Sequence, residues 1–434
     1  PDVPVPSTFT EALMQASDGA LWLAGRGQEA LRLDYATPRW TSYEGLSFHC
    51  QTRDGSYWFL SSDTTVVRND GSSWVQYDPS DGLMDGPRLL YEAQDGVLYA
   101  TGTHVGESAV SSFDGRSWGR AILPGPQASG SGPGSRGTGG FQQSDGSLWF
   151  GGVSRFDGRS WTRDPYSDPY QSIYGMAETP DGRLWFGSYS SLRFYDGEAW
   201  TRITDPGELS RGIKDLCTDA HGSLWVGTSS YGVFQLQDGA WTHYDVTRGL
   251  ASNNVESIFP STDGGVWAAT DNGTSRFDGR SWQTHALSPL LPPPMVHGVV
   301  QSPDGVLWVH VLGPPEPGWD RGKRVLIRYV PDPNPPETEL RTYAETVSQP
   351  GNTTLAWKGT DRWRDTPDDE IQFSWRLDGR EWSVFSRETN RIFELLPSGT
   401  HTFEVKARDR DFNEDPTPAS VTFTVLPPVW QEPW

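Results

Sequence analysis

Cysteine is almost missing from this chain of 434 residues: only Cys50 and Cys217 occur, which excludes a disulfide-dense scaffold and a cysteine-ligated zinc site. Long apolar runs are missing as well. Nothing reaches the ~18 consecutive apolar residues that would read as a membrane-spanning helix. Basic charge is scarce, with 35 Lys and Arg against 56 Asp and Glu for a formal net charge of -21. Such a balance repels phosphate backbones and anionic lipid heads, so it argues against nucleic acid and membrane surfaces as partners. Helical periodicity is absent from every long stretch, and so are an initiator methionine and a signal peptide, so the chain reads as a mature or excised fragment. Catalytic signatures are missing too: no HExxH pair, no GxSxG elbow and no glycine-rich phosphate loop.

What is present is glycine (48), proline (34) and tryptophan (21), a mix that suits many short strands joined by tight turns. One turn signal recurs eight times, at Asp18-Gly19, Asp54-Gly55, Asp95-Gly96, Asp145-Gly146, Asp181-Gly182, His221-Gly222, Asp263-Gly264 and Asp304-Gly305. The intervals are 36, 41, 50, 36, 40, 42 and 41 residues. Four positions into each motif stands an aromatic: Trp22, Trp58, Tyr99, Trp149, Trp185, Trp225, Trp267 or Trp308. The second turn leads to another set, Trp40, Trp74, Trp118, Trp161, Trp200, Trp241 and Trp282, with Asp-Gly before all but the first. Asp-Gly between alternating apolar residues predicts a two-residue hairpin turn. A period near forty with four strands and a tryptophan per unit predicts a β-propeller, of eight blades with seven as the alternative, each blade burying its aromatics against the next.

Two insertions interrupt the period. Pro124 to Gly140 is too poor in apolar residues to order itself and reads as a surface loop, and Gly313 to Lys323 carries Trp319. The eighth unit lacks its second turn and tryptophan. The proline-alternating stretch Pro1 to Ser7 is expected to supply the missing outer strand, since proline is tolerated on an edge. After Tyr329 the run PDPNPP opens a stiff hinge, and from about Leu340 short alternating strands without the period predict a small β-sandwich. The expected boundaries are a propeller over 1–332, a hinge over 333–338, a sandwich over 339–426 and a terminal stretch over 427–434.

The repeated DGxLWxGT followed by YDGxxW resembles the propeller repeats in the periplasmic sensor region of bacterial two-component regulators. The second domain, through Trp375-Arg376-Leu377-Asp378-Gly379, Leu396-Pro397-Ser398-Gly399 and Phe403-Glu404-Val405-Lys406-Ala407-Arg408-Asp409, resembles the Y_Y_Y immunoglobulin-like domain that follows those propellers. Trp375 and Phe403 stand where that family often has tyrosine, and eight repeats are fewer than it commonly carries. The resemblance implies a periplasmic, membrane-anchored homodimer that associates through its sandwiches. It implies a ligand, with carbohydrate the suggested class, and an output domain, most often a histidine kinase, outside this chain. Leu426-Pro427-Pro428 and the residues to Trp434 look like the approach to a membrane helix. No cofactor is expected.

Seven residues before each first turn stands one polar residue per repeat: Glu11, Ser47, Arg88, Thr138, Tyr174, Lys214, Glu256 and His297. If first strands line the channel, these residues ring its mouth. Arg88, Lys214 and His297 could then hold carboxylate or hydroxyl groups and Tyr174 could stack on a sugar, with Glu11 and Glu256 completing the set. Plain solvated strand ends are the alternative. Cys50 and Cys217 occupy equivalent places four repeats apart and are expected to be free, buried thiols. His297 or His310 would serve a propeller lyase, and a secreted protein-binding scaffold is a third reading. Asp409 to Asp415 has the look of a calcium loop, but Glu414 replaces the turn glycine, so an Asp/Asn-stabilised turn is expected instead. Asp365, Asp368 and Asp369 read as a solvated loop.

Overall fold

The computed structural model describes residues 10–15, 21–25, 30–33, 40–61, 64–122, 141–150, 154–163, 173–285, 295–312, 324–361 and 366–428. The loops expected at 124–140 and 313–323, residues 1–7, Thr138, Trp319, Asp365 and the terminal stretch from 429 lie outside them. Among the described residues every regular element is a strand, apart from the short 3-10 turns Pro79–Asp81, Gly207–Ser210 and Val246–Arg248. The fold is all-β, a propeller of four-stranded sheets followed by a sandwich.

Both Asp-Gly motifs make turns, but of two kinds. At the second motif Asp70 N–H donates to Ser73 O at 3.3 Å and Gly71 takes φ 86°, the expected two-residue loop with glycine first. At the first motif Gly55 N–H donates to Thr52 O at 2.8 Å while Thr52 N–H donates to Ser56 O at 2.9 Å. That is a longer loop in which a right-handed turn is followed by a left-handed glycine, Gly55 at φ 84°. The glycine restores the strand twist that a right-handed turn alone would splay.

The first-set tryptophans are the blade core. Trp58, Trp149, Trp185, Trp225, Trp267 and Trp308 are all buried. A buried indole N–H must find an acceptor, and the turn provides it. Trp58 donates to Thr52 Oγ1 and Trp185 to Thr179 Oγ1, each at 2.9 Å. Each threonine hydroxyl donates on to the turn aspartate, Asp54 or Asp181, at 2.6 Å. Gln143, Asp219 and Ser302 serve Trp149, Trp225 and Trp308 from the equivalent position. The second set is less uniformly enclosed: Trp118 and Trp282 are buried, whereas Trp74 is exposed.

Sheets run in chain order from Leu46–Gln51, Tyr57–Ser61, Val66–Asn69 and Trp74–Tyr77 onward, one per repeat. The eighth repeat provides only Met295–Gln301, Leu307–Leu312 and Arg324–Tyr329, and its fourth strand is Trp40–Glu44, antiparallel to Arg324–Tyr329. This corrects the expectation that residues 1–7 fill that place: the strand comes from the end of the first repeat. Tyr43 fixes it by packing within 6.5 Å of the rings of Phe59, Trp74 and Trp308. Eight repeats therefore yield seven four-stranded sheets among the described residues, while Thr10–Gln15, Leu21–Gly25 and Ala30–Leu33 form a three-stranded one.

The chain forms two compact units, residues 1–172 with 297–330, and residues 173–296 with 331–434. The second contains three blades and the sandwich. The sandwich packs the sheet of Glu337–Thr342, Thr353–Thr360 and Asn390–Phe393 on that of Thr346–Val347, Ala419–Val425, Gly399–Arg408 and Gln372–Leu377. Trp357, Phe373, Phe403 and Phe423 fill the space between, with Trp375 packed against them. The proline hinge is pinned rather than loose: Asp332 N–H donates to Asp411 Oδ2 at 2.8 Å and the Asn413 amide donates to Asp332 O at 2.5 Å.

Thr179→Val should lower stability by about 1–3 kcal/mol by leaving the Trp185 indole N–H buried without an acceptor, and an unchanged urea midpoint would contradict the relay. Tyr43→Ala should cost about 3–5 kcal/mol, read by the same midpoint, because it removes the ring that seats the closing strand.

Candidate functional site

The polar residues singled out seven places before each turn share a backbone feature. In Ile173–Glu178, Ile213–Thr218 and Val255–Pro260, Tyr174, Lys214 and Glu256 are each the extra, unpaired residue of a β-bulge against the neighbouring strand. Arg88 and Glu11 hold the same place in Gly86–Glu92 and Thr10–Gln15. A bulge breaks the pleat's alternation and re-aims its side chain. Ser47 departs from the pattern, since the extra residue of Leu46–Gln51 is His49. Arg88 is exposed, while Ser47 and His297, on Met295–Gln301, are half-buried. The Glu11 side chain lies outside the described residues.

In the second unit three bulges fall on successive blades. Gly175 permits the close approach of two of them, because a Cβ there would lie 2.5 Å from the Leu216 backbone nitrogen. Lys214 Nζ and Glu256 Oε2 meet at 3.2 Å, with 28% and 15% of their side chains exposed. The two site residues thus neutralise each other. A ligand carboxylate would have to compete with Glu256 for Lys214, so neutral hydrogen-bonding groups suit the pair better.

Strand pairing adds residues that sequence reasoning missed. Ile173 pairs with Ser188, Ile213 with Thr228 and Val255 with Thr270. The hairpin tips after those partners therefore stand at the same blade ends as Tyr174, Lys214 and Glu256. They bring Tyr189, 60% exposed, and Tyr231, whose hydroxyl accepts from Arg211 Nη2 at 2.6 Å. Asn254 Nδ2 donates to Asp271 Oδ2 at 3.1 Å. Aromatic faces beside amide, hydroxyl and paired charges make an amphipathic surface. Its only sequence signal is the position just past each second strand.

Asp215 lies next to the Lys214 bulge and crosses to the neighbouring blade. Its carboxylate accepts the Ile258 N–H at 3.1 Å and the Leu216 N–H at 2.9 Å. Burial pushes its pKa up to about 7, the two backbone N–H groups opposing the rise. In the other unit Leu90 N–H, two residues beyond the Arg88 bulge as Ile258 is beyond Glu256, meets His49 Nδ1 at 3.5 Å.

Cys50 and Cys217 are both free, with Cys217 buried and Cys50 only half-buried. Burial pushes the Cys50 thiol up to about 12 and raises Cys217 as well, which makes both poor nucleophiles. His310 is buried within Leu307–Leu312. Among the described residues no group of three or more His, Cys, Asp or Glu is arranged to hold a metal. Asp409 accepts from the backbone and amide nitrogens of Asn413, both at 2.8 Å, and Asp415 accepts the N–H groups of Thr338 and Thr417. That segment is the Asp/Asn turn its sequence suggested. Asp368 and Asp369 are exposed.

The same unit holds the seam between blade and sandwich. Arg408, 1% exposed, donates to Asp278 Oδ2 at 2.5 Å and to Gln372 Oε1 at 2.8 Å. Asp278 is the aspartate of a second Asp-Gly turn. The next residue but one, Arg280, donates to Trp382 O at 2.9 Å, and Gln372 donates to Gln283 at 2.9 Å. Phe412, held at φ 69°, presents its ring to Arg276 at 4.4 Å and to Arg408 at 5.1 Å. Arg408 also lies 3.8 Å over Phe385. Cation–π contacts in such a dry place strengthen the ion pair's hold.

Propeller sheets and an aromatic-cored sandwich, joined in this order, define the class. Residues 167–190 match the two component regulator propeller and residues 365–426 the Y_Y_Y domain, so the chain joins these two domain types. No curated protein matches it. Its fold is similar to the extracellular domain of a hybrid two component system from B. thetaiotaomicron, at 15% identity and a TM-score of 0.55 over 96% of this chain. The chain spans only 62% of that structure's length. A virginiamycin B lyase from Staphylococcus aureus is similar at 13% identity and a TM-score of 0.49, over 66% of this chain and 98% of the lyase. No helix among the described residues is long and apolar enough to cross a membrane.

Asp215 sets a pH dependence. Its folded pKa of about 7 lies above the ordinary 3.8, so between those values the folded state keeps a proton that the unfolded chain has lost. Stability then falls as pH rises from about 4 to 7, by roughly 1–4 kcal/mol. Asp215→Asn keeps an acceptor for Ile258 and should flatten this slope while raising the melting temperature at pH 8. Asp409, also raised to about 7, leaves a residual slope. Equal slopes in variant and parent, from melts at stepped pH, would contradict the assignment.

Proposed function

We propose that the chain is the extracytoplasmic ligand-sensing region of a membrane-bound two-component signalling protein, and that it is not itself an enzyme. Its blades bind a ligand and its sandwich relays the event to an output domain, most often a histidine kinase, outside this chain. The pairing of a two component regulator propeller repeat with a Y_Y_Y domain carries this reading. The extracellular domain that shares the fold comes from such a system, which supports a periplasmic location; anchoring through a helix beyond Trp434 is part of the proposal. Association into a homodimer through the sandwiches belongs to the same proposal.

The ligand is a neutral oligosaccharide. Tyr174, Tyr189 and Tyr231 offer ring faces for sugar, and the mutually neutralised Lys214 and Glu256 offer a donor and acceptors to its hydroxyls. In the other unit Arg88, His297 and Glu11 are the corresponding candidates. The seam at Arg408 and Asp278 supports a relay by rigid movement of blade and sandwich together, since the hinge at Asp332 is itself pinned. A lyase reading gains nothing from His310, which is enclosed in its strand.

Thermal-shift measurement with neutral and with uronic-acid oligosaccharides tests the proposal. Neutral sugars at saturation should raise the melting temperature, by about 2.7 kcal/mol of added stability at a hundred times the dissociation constant, and Lys214→Ala or Tyr189→Ala should remove most of the shift. A shift that appears only with acidic sugars, or that persists in both variants, would refute the assigned site. No shift with any sugar would refute the ligand class.

A further inference from the structure

The octapeptide that docks the sandwich occurs twice. Ser275 to Trp282 reads SRFDGRSW, and so does Ser154 to Trp161. Their local structures agree closely. Asp278 caps the N–H groups of Arg280 and Ser281 at 3.0 and 2.9 Å, and Asp157 caps those of Arg159 and Ser160 at 2.9 and 2.8 Å. Gly279 and Gly158 take φ 93° and 88°. Arg276 lies 5.6 Å over Trp267 and pairs with Asp263; Arg155 lies 5.7 Å over Trp149 and pairs with Asp145.

What differs is the cover. Around Asp278 the sandwich leaves 11% of the aspartate and 8% of Arg276 exposed. The turn's glycine and second arginine are exposed in both copies, but at the twin Asp157 and Ser160 are exposed as well and Arg155 keeps 39%. A third copy, Ser111 to Trp118, reads SSFDGRSW and places Ser112 where the arginine stands. It therefore lacks the cation that meets Phe412 in the docked pair and serves as an internal control.

We propose that Ser154 to Trp161 is a second docking socket for the sandwich, filled by the sandwich of a second copy of this chain. The occupant follows from the twin. Asp278 takes the Arg408 guanidinium, Arg280 takes the Trp382 carbonyl and Arg276 faces the Phe412 ring. Asp157, Arg159 and Arg155 offer the same three groups in the same order. Thr162 replaces Gln283, so one amide contact of the docked seam is not reproduced. A chain carries one Arg408 and two such sockets. Within a chain the Asp278 socket wins by effective concentration, and the Asp157 socket takes a neighbour's sandwich once that hold is weakened, as in domain exchange. The inference does not depend on which ligand the blades bind.

The full chain tests it. Asp278→Asn keeps a side-chain cap on the turn while removing the carboxylate that holds Arg408. In sedimentation velocity over a hundredfold concentration range, this variant should self-associate at least about tenfold more tightly than the parent. Adding Asp157→Asn should abolish the gain, and adding Asp114→Asn should leave it. A variant that associates no more than the parent overturns the proposal, and so does a gain insensitive to Asp157→Asn. Should Asp278→Asn fail to fold, Arg280→Ala, which removes the Trp382 contact and loosens the same hold, carries a photo-crosslinker at Ser160 instead. A link between copies to Lys406–Glu414 supports the socket, and its absence at high concentration overturns it.

Discussion

The interaction on which the blades depend is a short relay from turn to core: carboxylate, hydroxyl, indole. Asp54 accepts from Thr52, Thr52 accepts from Trp58, and the same chain runs through Asp181, Thr179 and Trp185. Each half needs the other. The indole gains an acceptor without which its burial would be costly, and the acceptor is held in place by the residue that shapes the turn. Turn geometry and core packing are thus one constraint; Ser302 repeats the relay through Asp304, while Gln143 and Asp219 accept the indole N–H directly.

The outer turns carry no such duty and are free for reuse. Asp70, Asp114, Asp157 and Asp196 cap their own loops, and those caps hold each carboxyl below its usual range. Asp278 caps its loop too, but also receives Arg408. Pairing two charges in a dry seam gives up hydration on both sides, so such a pair contributes orientation more surely than stability. That suits a joint whose purpose is to fix which blade carries the sandwich. Asp332 is tied to Asp411 and Asn413 beside the same seam.

Much of the candidate site was legible because the repeat gave an internal frame. Position seven before the turn is polar in every repeat, and in five strands it coincides with a bulge. The bulge itself was not legible, since one extra residue leaves no mark in a pattern already broken by glycine and proline. Nor was the Lys214–Glu256 pair, whose members stand 42 residues apart and meet only because their blades are neighbours. Tyr189 and Tyr231 escaped notice for a different reason: they lie in hairpin tips, where the repeat sets no residue type. The closing strand was misassigned to Pro1–Ser7 because Trp40 fits the first repeat as well as it fits the eighth.

The sequence by itself determined the turn positions, the domain order and the burial of the described tryptophans four places into each first turn, because each follows from local periodicity and from glycine's freedom at positive φ. Only the tertiary structure decided which strand completes the last sheet, which charges neutralise each other and which of three near-identical turns holds the sandwich. Those outcomes depend on contacts between segments far apart in the chain. Identical octapeptides at 154–161 and 275–282 make the point: their aspartate caps and turn glycines match, and it is contact with Arg408, far along the chain, that sets Asp278 apart.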